Sequence, residues 1–165
     1  MKIFFILVFF IINFQSCSFA DDFNFKKIVT LNNPWGSSFI NNEEIIITEK
    51  SGKIKLANVV SKKIIEIKHN LNFLEYGQGG LLDIVYKENK LWISYTEDRG
   101  NWKTSTSIAK AKFNKKELIF QNIFQANPPI DSGYHFGSRL AIKDDYLFAT
   151  AGERGQGMIA QDGTK

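Results

Sequence analysis

Cysteine and long hydrophobic runs are largely missing from the 165-residue chain. Cys17 is the only cysteine, and it lies in a segment that we expect to be removed from the mature protein. A mature chain without it would have neither a disulfide nor a thiolate metal site, so its stability must come from packing. The apolar run from Ile3 to Ile12 is about ten residues long, well short of the roughly 20 that span a bilayer. We therefore expect no membrane span in the mature chain.

The first 20 residues have the layout of a secretory signal peptide. Lys2 precedes the apolar run, and Ser18-Phe19-Ala20 forms a small-x-small cleavage site ahead of two aspartates. We expect residues 1–20 to be cleaved after Ala20, which would place the mature protein in the periplasm or outside the cell. Lipidation of Cys17 is the alternative, but Phe14 stands where an aliphatic residue is usual.

Charge of one sign is not in large excess. The chain has 21 Lys plus Arg against 17 Asp plus Glu, and the two signs are interspersed. Nucleic-acid-binding proteins usually collect their basic residues on one face or in one stripe. We therefore expect no nucleic acid partner.

Apolar residues do not recur at helical spacing over any long window. They occur in short runs such as Glu44–Thr48, Lys90–Tyr95 and Tyr146–Thr150, separated by polar turn residues. Short apolar runs bounded by turns are typical of strands in hairpins. The pattern predicts an all-β protein.

A short sequence pattern repeats along the chain. Trp35-Gly36-Ser37-Ser38-Phe39 and Phe136-Gly137-Ser138-Arg139-Leu140 share a constant offset of 101, and the segment from Gly80 to Val85 fits as a third copy between them. A unit of about 50 residues is typical of a four-stranded propeller blade. Because at least four blades are needed to close a ring, we expect residues 21–165 to be the N-terminal part of a β-propeller, supplying about its first three blades.

Three loops precede the predicted inner strands, and we call them the rim loops: Asn33–Gly36, Tyr76–Gly80 and Ser132–Gly137. The repeat predicts that they converge at one mouth of the central tunnel. His135 can accept a proton near neutral pH, and Gln78 offers an amide among glycines. His135 is therefore the candidate catalytic residue, and Gln78 is the candidate ligand-binding residue.

Other conspicuous residues have simpler interpretations. His69 lacks a glycine-rich setting and is expected in a solvated turn. Trp92, Trp102 and the phenylalanines are expected to pack between sheets.

Several blocks together resemble the glucose/sorbosone dehydrogenase family, its aldose sugar dehydrogenase branch in particular. They are Pro34-Trp35-Gly36, Thr48–Gly52, Gly77–Asp83, His135–Leu140, Gly152–Gly155 and Ala160–Asp162. The resemblance implies a six-bladed propeller that binds pyrroloquinoline quinone (PQQ) with calcium. It also implies oxidation of an aldose at its anomeric carbon to the lactone, with electrons passed to a quinone or another respiratory acceptor.

By the same resemblance, His135 would be the general base, and Gln78, Tyr134 and Arg154 would contact the cofactor. Tyr134 departs from the family, whose members carry Asp, His or Asn there, so the preferred sugar stays open. Arg139 is expected to be structural. The calcium ligands and most cationic contacts to PQQ are expected beyond Lys165.

Two other functions fit a propeller. One is a non-catalytic secreted propeller that binds a glycan or a protein. The other is a calcium-dependent lactonase or related hydrolase, which would direct several carboxylates at a metal.

Overall fold

The computed structural model describes residues 24–158 and Asp162. Within that part of the chain the regular structure is β-sheet with no α-helix, which confirms the all-β prediction. The strands are β1 (Pro34–Phe39), β2 (Glu44–Glu49), β3 (Lys53–Asn58), β4 (Ile64–His69), β5 (Leu81–Lys87), β6 (Lys90–Asp98), β7 (Thr104–Lys112), β8 (Glu117–Leu118), β9 (Gln121–Gln125), β10 (Gly137–Lys143) and β11 (Tyr146–Ala151). The proposed signal peptide and the block Ala160-Gln161 lie outside the described residues.

The strands form successive antiparallel sheets of the kind found in propeller blades. Blade 1 consists of β1-β2-β3-β4, and blade 2 of β5-β6-β7-β9. The pair β10-β11 is the inner hairpin of a further blade. The inner strand β5 packs against both β1 and β10, so the three inner strands lie side by side. This arrangement confirms the predicted β-propeller, with two complete blades and one hairpin among the described residues.

The same hydrogen bond marks each inner hairpin. A hydroxyl on the second strand accepts from a backbone N–H on the inner strand: Thr48 from Gly36 at 2.9 Å, Ser94 from Asp83 at 3.0 Å, and Thr150 from Arg139 at 2.9 Å. The first two hydroxyls also donate to a carbonyl of the next blade, Thr48 to Leu82 at 2.5 Å and Ser94 to Ser138 at 2.6 Å. Each hydroxyl of this pair therefore joins two blades.

These bonds correct the predicted register of the repeat. Gly36 is equivalent to Arg139, 103 positions later, and not to Gly137, 101 positions later. Each inner hairpin also contains a register shift near its start. A bulge inserts an extra residue on one strand, so an alignment based on glycines alone can pair residues that are not structurally equivalent.

The main hydrophobic core lies between the two complete blades. Its largest members include Ile46, Ile54, Leu56 and Ile67 of blade 1 with Leu81, Ile84, Leu91, Ile93 and Tyr95 of blade 2. These side chains alternate along the strands, since every second residue faces the neighbouring blade. Burial raises the pKa of the Tyr95 phenol to about 12, and its hydroxyl donates to Asn122.

A strap formed by residues 114–120 runs from blade 2 back to blade 1. Its short strand β8 pairs in parallel with the end of β4. The Asn70 side chain exchanges two hydrogen bonds with the Phe120 backbone, at 3.1 and 2.8 Å, and Lys115 donates to Glu44 at 2.6 Å. Leu118, on the strap itself, is fully buried. The strap gives blade 1 a fifth strand from its neighbour.

His69 is half-buried at the end of β4 and is not in a solvated turn, which corrects the prediction. Its Nε2 lies 2.7 Å from the Gly52 carbonyl, and its Nδ1 accepts from the Leu71 N–H at 3.2 Å. Both ring nitrogens are used in the fold, so His69 is structural.

Over residues 24–158, the structure has no helix long and apolar enough to cross a membrane.

Candidate active site

The second and third rim loops meet through a short ladder of contacts. The Gln78 side-chain carbonyl accepts from the His135 N–H at 2.9 Å, and the Gln78 N–H donates to the Gly133 carbonyl at 2.7 Å. At the start of the second rim loop, the Tyr76 hydroxyl donates at 3.2 Å to Asp131, which directly precedes the third rim loop. The sequence prediction that Gln78 and His135 lie at one rim is therefore matched by a direct hydrogen bond.

Glycines allow the two loops to touch along their backbones. A Cβ on Gly77 would lie 2.4 Å from the Gly133 carbonyl oxygen, and Gly77 has a φ of +58°. Both facts favour glycine, because other residues would clash and are strained in this region. The Gly-rich sequence of the second rim loop thus brings the backbones together.

Lys50, at the end of β2, connects the first rim loop to the second. Its N–H donates to the Asn33 carbonyl at 3.0 Å, and its Nζ donates to the Gly77 carbonyl at 2.6 Å. Its own carbonyl accepts from the Leu81 N–H at 3.2 Å. The three rim loops accordingly lie on one side of the molecule, as the repeat predicted.

His135 presents its imidazole to solvent, with 53% of its side chain exposed. Its Nδ1 is hydrogen-bonded to Glu153, which lies just after β11. A carboxylate can only accept, so Nδ1 carries the proton and the lone pair of the neutral ring lies at Nε2. Within the described residues, Nε2 has no protein partner. The ring is held at one nitrogen and open at the other.

Glu153 reaches His135 because β10 and β11 form a hairpin. The pairing of Gly137 with Ala151 brings the residues just outside the two strands together. Gly152 lies against the His135 carbonyl so closely that an added Cβ would be 1.9 Å from that oxygen. The hydrogen bond with His135 lowers the pKa of the Glu153 carboxyl, so the group is ionised at neutral pH.

Arg154 points inward rather than into the rim, with only 9% of the residue exposed. Its guanidinium donates to the carbonyls of Tyr134, Ser132 and Thr104 and to the Thr104 hydroxyl, and it lies 3.8 Å from the centre of the Phe136 ring. These bonds use four of its five N–H groups. Burial lowers the pKa of Arg154 to about 10. The geometry makes Arg154 a support for the His135 loop, and direct contact with a cofactor stays a prediction.

Gln78 and Tyr134 are exposed at the rim, where they can meet a ligand. Tyr134 is 60% exposed, and its ring stands edge-on to His135 with centroids 6.3 Å apart. In the part of the chain that the structure covers, the Gln78 amide nitrogen has no hydrogen-bond partner. Their assignment to a cofactor remains a prediction.

Sequence reasoning gave no function to Glu153 or Lys50. Both residues lie inside blocks that carry the family resemblance, Gly152–Gly155 and Thr48–Gly52, which was the available signal. Their partners are far away in the sequence, so only the fold shows what they touch. Arg139 lies 3.5 Å from Asp83 of blade 2 with 77% of its side chain exposed, and its structural function stays a prediction.

Acidic and histidine side chains do not gather into a metal-binding group of three or more in residues 24–158. The calcium ligands expected after Lys165 are therefore still a prediction.

A propeller with a polar rim site built around a carboxylate-supported histidine defines the class of this protein. The model of the family described as "Glucose / Sorbosone dehydrogenase" matches residues 31–165. The chain thus belongs to the glucose/sorbosone dehydrogenase family, in agreement with the resemblance found in the sequence.

Three comparisons with known proteins illustrate the similarity. The aldose sugar dehydrogenase YliI of Escherichia coli is 29% identical over 142 residues, which cover 80% of this chain and 38% of that protein. The solved apo-form of the soluble aldose sugar dehydrogenase of E. coli has a TM-score of 0.73 at 28% identity and covers 80% of this chain and 41% of that one. The PQQ-bound aldose sugar dehydrogenase of Streptomyces coelicolor, 20% identical over 81% of this chain and 42% of that one, shares the fold with a TM-score of 0.70. The chain spans less than half the length of these proteins.

Proposed function

We propose that the protein carrying this chain is a PQQ-dependent aldose dehydrogenase of the periplasm or cell exterior. It oxidises the anomeric hydroxyl of a sugar to the lactone and passes the electrons to a quinone or another respiratory acceptor. The observation that carries the proposal is the His135–Glu153 pair, which leaves Nε2 of an exposed imidazole open at the rim. Membership of the dehydrogenase family supports the reaction class.

Lactone formation requires a base for one specific proton. The anomeric hydroxyl must lose its proton while the anomeric carbon loses a hydrogen together with two electrons. His135 Nε2 has the lone pair that accepts the hydroxyl proton. The resulting imidazolium is stabilised by the ionised Glu153 at Nδ1, and the Gln78 carbonyl bound to the His135 N–H holds the loop in place.

The rim residues fit PQQ by the chemistry of their donors. A flat quinone with carboxylates and carbonyls needs hydrogen-bond donors and a surface without bulky side chains. The described residues offer the Gln78 amide nitrogen and the Tyr134 hydroxyl beside Gly77 and Gly133. When bound, PQQ accepts the hydrogen and the two electrons from the sugar. The calcium ligands, and further cationic contacts to PQQ, are proposed to lie after Lys165.

The test is dye-linked oxidation of an aldose panel by the full-length protein, with and without added PQQ and calcium. His135→Ala is measured beside the unchanged protein, with circular dichroism and thermal melting to show that both fold. Loss of a general base should reduce kcat by about a hundredfold or more. Activity that requires PQQ and collapses in His135→Ala agrees with the proposal.

A folded protein that oxidises no sugar in the presence of PQQ and calcium contradicts the proposal. In that outcome a non-catalytic propeller that binds a glycan or a protein becomes the better explanation. Equal activity of His135→Ala and the unchanged protein would reject His135 as the base.

A further inference from the structure

Lys50 directly follows β2 and contacts the second rim loop at both of the loop's ends. Its Nζ donates to the Gly77 carbonyl at 2.6 Å, and its own carbonyl accepts from the N–H of Leu81, the first residue of β5, at 3.2 Å. Lys50 and Gly77 are 27 positions apart in the chain. The fold, and not the local sequence, therefore brings this lysine to the loop.

The shape of the second rim loop depends on hydrogen bonds to its backbone. Three of its five residues are glycines, which have no side chain to pack and lose the most conformational freedom on folding. At the Gly80 end, the Thr96 hydroxyl accepts from the Gly80 N–H at 3.1 Å, and the Thr96 N–H donates to the Gly80 carbonyl at 2.9 Å. At the Gly77 end, the partner of the carbonyl is the Lys50 ammonium.

The bond from Lys50 to Gly77 is charge-assisted and partly shielded from water. Only 23% of the Lys50 side chain is exposed. Hydrogen bonds from a charged donor are stronger than neutral ones, and partial exclusion of water strengthens them further. Glu75 lies 4.0 Å from the same Nζ with 47% of its side chain exposed, so this ion pair contributes little. Among the described residues, the Gly77 carbonyl is therefore the main partner of the Lys50 charge.

The peptide unit that Lys50 binds is also the unit that meets the third rim loop. It consists of the Gly77 carbonyl and the Gln78 N–H, and that N–H donates to the Gly133 carbonyl at 2.7 Å. Because a peptide unit is planar, with its oxygen and hydrogen on opposite sides, a bond at the oxygen also fixes the direction of the N–H. Lys50 and Gly133 thus hold opposite edges of one peptide.

This peptide leads directly to His135. The side chain of Gln78 accepts from the His135 N–H at 2.9 Å, so the orientation of Gln78 sets the position of the third rim loop. Gly77 has a φ of +58° and, as a glycine, can adopt many other conformations. Loss of the Lys50 ammonium would therefore let the peptide rotate and carry Gln78 away from His135.

We propose that Lys50 is a positioning residue for the reaction at His135, acting through the Gly77–Gln78 peptide unit. The inference rests on the proposed function, in which His135 Nε2 accepts the proton of the sugar hydroxyl. Lys50 itself does not touch the reacting atoms. Its importance comes from geometry, because a catalytic group displaced by about 1 Å can lose a hundredfold in rate.

Lys50→Met removes the ammonium and keeps an unbranched side chain of similar length. In the full-length holoenzyme, kcat per folded molecule should fall by roughly tenfold to a hundredfold with a smaller change in KM, because the base is displaced. Lys50→Arg retains a charged donor and should recover part of the loss. The matched control is Lys55→Met in the middle of β3, where Nζ donates to Glu66 at 2.7 Å and 17% of the side chain is exposed. The control should leave kcat and KM unchanged.

A double-variant cycle tests the path from Lys50 to His135. If Lys50 acts through Gln78, Lys50→Met should have little further effect on kcat once Gln78→Ala has removed the bond to His135. Losses that add in the double variant would overturn the proposal. So would an unchanged kcat in Lys50→Met, or an equal fall in Lys55→Met.

Hydrogen exchange in the PQQ-free, full-length protein separates this inference from the proposed reaction. Lys50→Met should speed exchange at the Gln78 and His135 N–H groups by roughly twofold to tenfold, the range for losing one hydrogen bond that holds the loop. Lys55→Met should leave both rates unchanged. Faster exchange at both groups supports the positioning of His135 by Lys50 even if the protein oxidises no sugar. Unchanged exchange overturns it even in an active dehydrogenase.

Discussion

Glu153 selects which nitrogen of His135 can act as a base. Because its carboxylate accepts from Nδ1, the ring must present the Nε2 lone pair to the rim. His135 precedes β10 and Glu153 follows β11, so the two ends of one hairpin fix the tautomer of the histidine. Glu153 is thus a positioning residue, acting through His135.

We predict that Glu153→Gln lowers kcat of the full-length holoenzyme by roughly tenfold to a hundredfold, with a smaller change in KM, because the base loses its fixed orientation. Glu153→Asp should recover part of the loss, since it restores the charge. The measurement is steady-state kinetics with the dye acceptor. A merely structural function would instead lower the melting temperature and leave kcat per folded molecule unchanged.

The pH dependence of this pair has a definite sign. The pKa of Glu153 is held below its ordinary value of 4.5, so the His135–Glu153 contact is present above pH 4.5 and is lost as the pH falls through the folded value. Protonation of Glu153 therefore does not limit the enzyme at neutral pH.

At the scale of the elements, the inner hairpins are joined by buried hydroxyls. Ser94 accepts from the Asp83 N–H within blade 2 and donates to the Ser138 carbonyl of β10. The hydroxyl of Ser94 is fully shielded from solvent together with the rest of that residue. Removing it leaves two buried backbone groups without this partner.

Ser94→Ala should lower the free energy of unfolding by about 1–3 kcal/mol, the cost of unsatisfied buried polar groups. Urea unfolding of the full-length protein measures the change. Ser51→Ala is the matched control, because the buried Ser51 hydroxyl has no hydrogen-bond partner in the described chain. The control should be neutral or slightly stabilising, and an equal loss in both variants would contradict the assigned function of Ser94.

On the scale of the whole molecule, the strap makes blades 1 and 2 depend on each other. Leu118 is fully buried among side chains of both blades, and β8 pairs with β4. We predict that Leu118→Ala lowers the free energy of unfolding by about 2–5 kcal/mol, the range for a buried leucine. Hydrogen exchange should show faster exchange at both β4 and β8. Faster exchange confined to β8 would show that blade 1 does not need the strap.

The sequence predicted the parts of this fold that have a local signal. Strands such as Glu44–Glu49 follow short apolar runs between turn residues, and the glycine-rich rim loops were recognisable because backbone contact requires glycine. The predicted offset of the repeat was wrong by two positions, because the register depends on bulges and on hydroxyls such as that of Thr48. The hydrogen-bond partners of these hydroxyls lie in other strands, so the local sequence does not show them.

The site was predictable only in part for the same reason. His135 and Gln78 were found because each lies among glycines, but the contact of Glu153 with His135 depends on the pairing of β10 with β11. Trp102 was assigned to the core because hydrophobic residues are usually buried, and this prediction was wrong, since 65% of the residue is exposed. Nothing in the sequence around it shows that the turn between β6 and β7 would hold it in solvent.

The parallel pairing of β8 with β4 can form only late during synthesis of this part of the chain. His69 pairs with Leu118, 49 positions later in the chain. At roughly 5–20 residues per second, the outer edge of blade 1 stays open for about 2 to 10 seconds after it leaves the ribosome. During that time Glu66 and Lys68, both exposed on β4, place charges on the open edge and so discourage it from pairing with other nascent chains.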